Sequence, residues 1–379
     1  MGNVRPYQTC ARCVMDTSDS RIVFDRDGVC DHCRDFEQNV AAQWKRDVET
    51  GGLSDVLARV RNEGRGSDFD CIIGLSGGVD SSYMLHSAVR EHGLRPLVFH
   101  VDGGWNSELA THNIRALVER LGVELFTEVI DWEEMRQFQL AFFRSGVPHI
   151  DIPQDHAFVA TLYNFAERHN VRYILNGGNI ATECVRNPME WLYYGTDMLH
   201  LRDILRKHCE VELRSYPFSS IWRHKIYLRY VKRVEVIKPL NYMPYTKEAA
   251  AQILMDHYGW RPYPQKHFES RFTKFFEGYW LPTRFGFDTR RVQFSSLILT
   301  GQLDRTSALA ALEKPAVGEE EAAKDFAYVA AKLRISEDEL RGYLRMPKKF
   351  YWDYRNQEML FRAGARVLKA LGVERSVKR

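Results

Sequence analysis

The stretch CIIGLSGGVDSSYMLH, residues 71–86, decides how the fold of this chain is interpreted. Its apolar first part predicts a short buried strand, and a helix is predicted from Ser81 to about His92, where Gly93 ends it. The turn between them reads SGGVDSS, residues 76–82. Backbone N–H groups at the start of a helix, beside glycines that permit a close approach, bind anions. The turn therefore predicts a phosphate site.

Strand-like and helical segments alternate after this turn. Helices between successive strands imply right-handed crossovers and a parallel sheet that is covered on both faces. We therefore expect an α/β fold with a doubly wound parallel sheet. The predicted strands are FDCIIGL (69–75), RPLVFHVD (95–102), VELFTEVI (123–130), VRYILNGG (171–178) and RVEVIKPL (233–240), and helices are predicted at SELATHNIRALVERLG (107–122) and DHAFVATLYNFAERHN (155–170).

Asp80 sets the turn apart from loops that bind phosphate through a lysine. The motif G-x-x-x-x-G-K-[ST] is absent from it. A carboxylate repels phosphate unless a cation lies between them, so Asp80 implies Mg²⁺ that bridges it to phosphate oxygens. The other residues of the turn predicted to bind the nucleotide are Ser76, Gly77, Gly78, Ser81 and Ser82.

Polar residues also follow two other predicted strands. Asp102 ends HVD, and Asn179 and Glu183 lie in NGGNIATE. Ligands of such sheets bind beyond the carboxyl ends of the strands, so all three are predicted to face the nucleotide. For Asn179 the alternative is an ordinary turn residue.

Four cysteines form two C-x-x-C pairs near the N-terminus, with sixteen residues between the pairs. This spacing is typical of a structural zinc site with four sulfur ligands. An iron–sulfur cluster is the main alternative. The predicted ligands are Cys10, Cys13, Cys30 and Cys33.

The composition is that of a globular protein. The chain is 45% hydrophobic with a net charge of +3, which is too small a charge to indicate nucleic acid. It has no apolar stretch of about 18 residues and no apolar leader at its N-terminus, so we expect neither a membrane span nor a secretory signal. We expect a cytoplasmic protein with reduced thiols.

The turn resembles the SGG-x-D-S signature of the PP-loop (HUP-like) ATP pyrophosphatases. The wider pattern resembles the N-acetyl sugar amidotransferases of lipopolysaccharide, O-antigen and nonulosonic acid biosynthesis. The segments that carry this resemblance are CARCVMDTSDSRIVFDRDGVCDHC (10–33), GLSGGVDSSY (74–83), GGNIATE (177–183) and KHFESRFTKFFEGYWLPTRFGFDTRRVQFSSLILTGQLDR (266–305).

The resemblance implies a reaction and its partners. ATP is cleaved between its α and β phosphates, and AMP is transferred to the acetamido oxygen of a nucleotide-linked N-acetylated sugar. Ammonia then replaces AMP and leaves an acetamidino group. Ammonia comes from a glutaminase through a barrel-like channel subunit, similar to the imidazole-glycerol-phosphate synthase pair, and this chain shows no glutaminase signature of its own.

Further site residues are predicted around the last of these segments. Lys266 and Arg271 are predicted to bind phosphate, and Glu269 to orient ammonia or take its proton. With Asp80 and Asp102 they complete the predicted catalytic set. A helix through HFESRFTKFFEGYW would carry Lys266, Ser270, Lys274 and Glu277 on a polar face and Phe268, Phe272, Phe275 and Phe276 inward, although a solvated amphipathic helix is the alternative.

Other cations are assigned to the substrate. Arg284, Arg290 and Arg291 are predicted to bind a sugar carboxylate or the nucleotide. The basic segment RHKIYLRYVKR, 223–233, is predicted to face a diphosphate, with a basic surface helix as the alternative.

We divide the chain into a zinc module with its following helix (1–50), an ATP-binding α/β domain (51–240) and a helical substrate or partner domain (241–379). Two rival functions remain. One is a PP-loop enzyme that thiolates tRNA, with Cys184 as the sulfur carrier. The other is a nucleotide-binding scaffold without catalysis.

Overall fold

Five parallel strands form one sheet in the computed structural model, which describes residues 5–370. The strands are β1 (Cys71–Gly74), β2 (Pro96–Asp102), β3 (Leu125–Val129), β4 (Tyr173–Leu175) and β5 (Glu235–Ile237). Their order across the sheet is β3-β2-β1-β4-β5. The predicted doubly wound α/β fold is confirmed, and each predicted strand contains an observed one.

Strand β1 lies at the centre because its residues are apolar on both faces. Ile73 is fully buried and is paired with Val98 of β2 on one side and Leu175 of β4 on the other. A strand buried on both faces has a nearly continuous apolar sequence, as CIIG does. The chain continues to β2 on one side of β1 and later to β4 on the other. The loops after β1 and β4 therefore border the crevice where ligands bind in such sheets.

Helices surround this sheet and connect its strands. The α-helices that precede β5 in the chain are α1 (Asp31–Asp35), α2 (Ala42–Glu49), α3 (Leu53–Glu63), α4 (Val79–His86), α5 (Glu108–Leu121), α6 (Trp132–Ser145), α7 (Ile152–Arg168), α8 (Ile180–Glu183) and α9 (Met198–His208). Segments of π-helix join or extend them at Phe36–Ala41, Ser87–Glu91 and Arg223–Val231.

The remaining described chain is helical, as predicted. Its helices are α10 (Lys247–Tyr258), α11 (Arg271–Phe275), α12 (Leu281–Phe285), α13 (Arg290–Leu299), α14 (Arg305–Leu312), α15 (Glu319–Leu333), α16 (Glu337–Arg345) and α17 (Glu358–Ala370), with a π-helical turn at Phe276–Trp280 and short 3₁₀ turns at Pro239–Tyr242 and Tyr351–Asp353.

Local sequence signals set several helix ends. The Ser107 hydroxyl accepts a hydrogen bond from the backbone N–H of Ala110 and caps α5. Gly122 ends α5 with a φ of 67°, in the left-handed region where glycine is favoured. Helix α4 begins at Val79, two residues before the predicted start.

The predicted helical face that includes Lys266 is wrong. Helix α11 begins only at Arg271, because Ser270 caps it by accepting from the backbone N–H of Thr273. His267 has a φ of 67°, which breaks any helix at that point. Lys266 therefore lies in an irregular segment. The inward orientation of the four phenylalanines is confirmed, since Phe268, Phe272, Phe275 and Phe276 are all buried.

One hydrophobic core joins the N-terminal cysteines, one face of the sheet and the C-terminal helices. It includes Cys13, Phe99, Trp105, Phe272 and Trp280. A second core fills the opposite face of the sheet under α3, α4, α5 and α10. The proposed divisions at residues 50 and 240 stay predictions, and the ends of the outer two domains lie outside the described residues. Within residues 5–370, no helix has both the length and the apolar character that a membrane span requires.

We predict that Val98→Ala in β2 destabilises the protein by about 2 kcal/mol, because Val98 is fully buried and the change leaves a cavity. Val129→Ala makes the same chemical change in β3 at a side chain that is 71% exposed, and should cost less than about 0.5 kcal/mol. Urea unfolding of both variants measures the difference. Equal losses would contradict the assigned position of β2 inside the sheet.

Candidate active site at the carboxyl ends of β1 and β4

The SGGVDSS turn folds as the sequence predicts. Gly77 has a φ of 85°, in the region where glycine is favoured, and a Cβ on Gly78 would meet the carboxylate of Glu269. The backbone N–H of Gly78 donates to the Ser76 hydroxyl (3.3 Å), which lies 3.2 Å from the Ser81 hydroxyl. The N-terminus of α4 thus presents hydroxyl and N–H groups at the sheet edge.

Two aromatic residues from the C-terminal region hold this turn. The indole N–H of Trp260 donates to the Gly77 carbonyl at 2.9 Å, and the Tyr263 hydroxyl donates to the same oxygen at 3.3 Å. The predicted division at residue 240 therefore separates parts of the chain that are bonded to each other at the site.

A cavity of about 290 Å³ lies between this turn and the loop after β4. It contains most of the residues that the sequence predicted. Its lining includes Ser76, Gly78, Asp80, Ser81, Gly177, Gly178, Glu183, Lys247, Trp260, Tyr263, Lys266, His267 and Glu269. Gly77 belongs to the turn behind it, and Ser82 is fully buried in α4.

An ion-pair cluster crosses this cavity. Nζ of Lys266 lies 2.6 Å from an Oε of Glu183 and 3.5 Å from an Oδ of Asp80. Burial disfavours the charged amine, but the two carboxylates outweigh burial and raise the pKa of Lys266. Asp80 also accepts a hydrogen bond from the Tyr245 hydroxyl at 2.5 Å. The structure therefore brings Asp80, Glu183 and Lys266 together.

Glu269 lines the same cavity, with its carboxylate beside Gly78 of the turn. Its burial raises the pKa of its carboxyl group. A carboxylate whose pKa is raised is a better proton acceptor than an exposed one, which suits the predicted role as a base.

Lys247 is a cavity residue that the sequence did not identify. It lies in the first turn of α10, and burial lowers the pKa of its amine. Its neighbourhood, NYMPYTKEAA, reads as an ordinary helix start, so no local signal marks it. Tyr245, which bonds Asp80, was missed for the same reason.

Two predicted residues at the strand ends serve the backbone instead. Asn179 is buried and caps α8 by accepting from the backbone N–H of Thr182 at 2.9 Å. The carboxylate of Asp102 accepts from the backbone N–H of Gly104 at 2.7 Å and does not line the cavity. Asn179 thus has the turn role that was its alternative.

Arg271 lies away from the cavity. Its guanidinium group bonds to the buried carboxylate of Asp325 at 2.9 Å and lies over the ring of Tyr328 at 3.6 Å. Lys274 pairs with the same Asp325 at 2.7 Å. The structure does not bring Arg271 together with the other predicted catalytic residues.

Three further arginines assigned to the substrate are engaged within the protein. Arg284 is buried and donates to the carbonyl of Tyr343 at 2.6 Å. Arg290 pairs with Asp288 at 2.7 Å, and Arg291 pairs with Asp16 at 3.0 Å. The structure therefore gives each of them a partner within the protein, and their contact with a ligand stays a prediction.

A second cavity of about 360 Å³ adjoins the first and shares Glu183, Lys266 and His267 with it. Nδ1 of His267 lies 3.1 Å from an Oε of buried Glu277, which also accepts from Thr289 at 3.3 Å. Partial desolvation lowers the pKa of His267, but the Glu277 carboxylate outweighs it and raises the pKa to about 9. An imidazolium therefore lies where the two cavities meet.

The four N-terminal cysteines form a buried cluster whose sulfur atoms all lie within 4.8 Å of one another. Neighbouring Sγ atoms are separated by 3.6 Å to 3.8 Å. One ion with four sulfur ligands at about 2.3 Å would place them about 3.8 Å apart. Cys10 also accepts from the backbone N–H of Cys30 at 3.2 Å, which favours a thiolate. The residues fit one tetrahedral metal ion.

We predict that the His267–Glu277 pair stabilises the protein near neutral pH and that this contribution is lost on raising the pH through about 9. The pKa of His267 is higher in the folded protein than the usual value of about 6.5 in an unfolded chain, so the folded state holds its proton more tightly. Lys266 and Glu269 also face this imidazole. Its side chain is 45% exposed, so solvent screening keeps the effect small.

Thermal unfolding at pH 7, below the His267 pKa of about 9 in the folded protein, and at pH 9.5, above it, tests this. His267→Gln should lose less stability over this range than the wild type, and His112→Gln, a change on the exposed face of α5, should behave as the wild type. An unchanged pH dependence in His267→Gln would show that the pair contributes nothing.

Comparisons with known proteins bear on the C-terminal region most directly. No curated protein matches the chain. Similar solved structures include a U34-tRNA thiolase, NcsA, from Methanococcus maripaludis with its 4Fe-4S cluster (13% identity, TM-score 0.34, 91% of each chain). An NH3-dependent NAD synthetase from Campylobacter jejuni is also similar (13%, 0.31, 81% of this chain and 99% of that one), as is an NMN synthetase from Francisella tularensis (14%, 0.31, 78% and 96%). Likenesses this weak carry no information about chemistry.

The match to a protein family covers the C-terminal helices and begins at Glu269 of the site. Residues 269–368 match the model of the C-terminal domain of WbpG-like LPS biosynthesis proteins, which confirms the resemblance of this segment to proteins of lipopolysaccharide biosynthesis.

Proposed function

We propose that the protein is an ATP-dependent amidotransferase that converts the acetamido group of a nucleotide-linked N-acetylated sugar into an acetamidino group for surface polysaccharide. The observation that carries the proposal is the cluster of Asp80, Glu183 and Lys266 against the SGGVDSS turn. The match of residues 269–368 to a WbpG-like LPS biosynthesis domain supports the substrate class.

The turn suits pyrophosphate as a leaving group. The N–H groups before α4 and the hydroxyls of Ser76 and Ser81 are neutral donors for phosphate oxygens. Lys266 and Lys247 supply positive charge from outside the turn. Asp80, with Glu183 or Glu269 beside it, has the carboxylate oxygens that would hold Mg²⁺, and a bound Mg²⁺ would offset charge on the phosphate oxygens.

The reaction has two steps. The acetamido oxygen attacks the α-phosphorus of ATP, the bond to the β-phosphate oxygen breaks, and pyrophosphate leaves. Ammonia then adds to the activated carbon, a proton passes to a base, and AMP leaves with the oxygen. Glu269 is the base that we assign, because its raised pKa favours proton uptake. Arg271 has no part in this scheme.

Two accessory features complete the proposal. The four cysteines hold one Zn²⁺, which the 3.6–3.8 Å sulfur separations support. Ammonia comes from a glutaminase through a channel subunit, which the lack of a glutaminase signature in this sequence supports.

The thiolation alternative needs a reactive cysteine, and Cys184 does not have that character. Its thiol donates to the carbonyl of Ser296 at 3.7 Å. Burial raises its pKa to about 12, so very little thiolate forms near neutral pH.

We predict that incubation with ATP, Mg²⁺, ammonium and nucleotide-linked N-acetyl sugars releases AMP and pyrophosphate. The sugar product should become about one mass unit lighter, because an imino nitrogen replaces the carbonyl oxygen. Lys266→Met should lower kcat/KM by about 100-fold or more through the loss of phosphate contacts. Lys274→Met, at a lysine of similar burial outside the cavity, should change kcat/KM less than about threefold.

Release of ADP would contradict adenylation, since ADP requires transfer of the γ-phosphate. Equal activity losses in the two lysine variants would show that the Lys266 cluster has no special role. Thermal unfolding of both variants checks that each is folded.

We also predict one Zn²⁺ per chain and no visible absorption from iron when the protein is prepared without oxygen. Cys30→Ser should lose the metal and lower the Tm, because Arg305 donates to the carbonyls of Cys10 and Cys13 and ties the module to the C-terminal helices. Cys209→Ser, at a cysteine outside the cluster, should retain both metal and Tm. Iron bound at the protein concentration or above it would show that the four cysteines hold an iron–sulfur cluster and not zinc.

A further inference from the structure

A third cavity of about 1160 Å³, much larger than the site itself, opens beside the loop after β4. We name it the basic cleft and define it by Tyr163, Arg186, His224, Arg229, Arg233 and Lys238. Its wall also includes Asn179 and Glu183, and Glu183 lines both cavities of the candidate active site. A ligand in the cleft therefore borders the Lys266 cluster.

The cations of the basic cleft differ from the other arginines of the protein that the sequence singled out. Arg284, Arg290 and Arg291 all bond to protein partners. Across residues 5–370, by contrast, the exposed side chains of Arg186, Arg229 and Arg233 make no ion pair and no hydrogen bond. Lys238, which follows β5, is exposed there as well and makes no ion pair in the same part of the chain.

The carboxylates of the cleft are already engaged. Glu235 pairs with Arg59 at 2.8 Å, Glu183 with Lys266 at 2.6 Å, and Asp47 accepts from Gln43 at 2.7 Å. The unpaired cations thus outnumber the available anions around one concave surface. Like charges this close repel one another unless solvent or an anionic ligand offsets the repulsion. The N–H groups of a guanidinium are spaced so that two of them can bond to two oxygens of one phosphate.

Aromatic rings occupy the same cleft. The rings of Tyr163 and His224 stack with centroids 4.5 Å apart, and Tyr230 is 64% exposed beside Arg229. Flat rings next to phosphate-binding cations are the pattern that binds a base and its phosphates. The cleft volume of about 1160 Å³ lies just above the range of about 300–1,000 Å³ for small-molecule sites, enough for a nucleotide with a sugar attached.

We propose that the basic cleft binds the nucleoside diphosphate part of the sugar substrate, with the diphosphate on Arg186, Arg229 and Arg233 and the sugar directed toward Glu183. This assignment rests on the proposed function for the identity of the sugar. It separates the site of the sugar's diphosphate from the site of the ATP phosphates, which is at the SGGVDSS turn. It also assigns a function to the basic segment 223–233, for which the sequence left a basic surface helix as the alternative interpretation.

Titration calorimetry with UDP, in the absence of ammonia and acceptor sugar, tests the cleft without requiring turnover. UDP should bind the wild-type protein, and Arg186→Met and Arg233→Met should each weaken it about tenfold or more. Arg202→Met, at an exposed arginine of α9 outside the cleft, should leave UDP affinity unchanged. ATP affinity should stay the same in all three variants, and ATP should not displace UDP.

Three results would overturn the proposal: no UDP binding by the wild type, equal UDP affinity in the cleft variants and the wild type, or displacement of UDP by ATP. Displacement of UDP by a short single-stranded RNA at lower concentration would overturn it in favour of a nucleic-acid groove. Release of AMP and pyrophosphate is measured separately from UDP binding. If the wild type turns over but does not bind UDP, only the assignment of the cleft is wrong. If the wild type binds UDP in the cleft but releases neither AMP nor pyrophosphate, only the proposed reaction is wrong.

Discussion

The ion pairs of Lys266 with Glu183 and Asp80 are the contacts on which the candidate site depends. The three residues come from the turn after β1, the short helix after β4 and the segment before α11. The side chains of Lys266 and Asp80 are only 15% and 17% exposed, so each needs an opposite charge nearby. The C-terminal region therefore supplies the cation that allows an acidic turn to lie beside a second carboxylate. Without that region, Asp80 and Glu183 would lie at the sheet edge with no lysine paired to Asp80.

The sequence predicted those features that depend on local signals. The apolar CIIG strand, the glycine turn and the Ser107 cap are each specified within a few residues, and all are observed. The position of Lys266 in the site followed from a motif. The helix through it did not form, because a left-handed His267 and the Ser270 cap move its start to Arg271.

Pairing between distant residues could not be predicted from local patterns. Arg271 looks like a phosphate ligand in the sequence, and its partner Asp325 is far along the chain on α15. Lys247 enters the cavity only because α10 packs against α4. Asn179 caps α8 and also lies in the wall of the basic cleft, and only the folded structure shows both positions. Tertiary packing thus determined which polar residues face the cavity.

The charges of the cavity explain why the turn itself has no lysine. Asp80, Glu183 and Glu269 face Lys266, Lys247 and the His267 imidazolium, so the acidic and cationic side chains around the cavity are equal in number. A triphosphate would add more negative charge, which Mg²⁺ at the carboxylates would offset. Burial lowers the pKa of Lys247, and an entering phosphate would favour its charged form again. In the proposed reaction, nucleotide and metal binding would therefore be coupled, and the neutral N–H and hydroxyl donors of the turn would orient pyrophosphate while the charge is supplied from elsewhere in the chain.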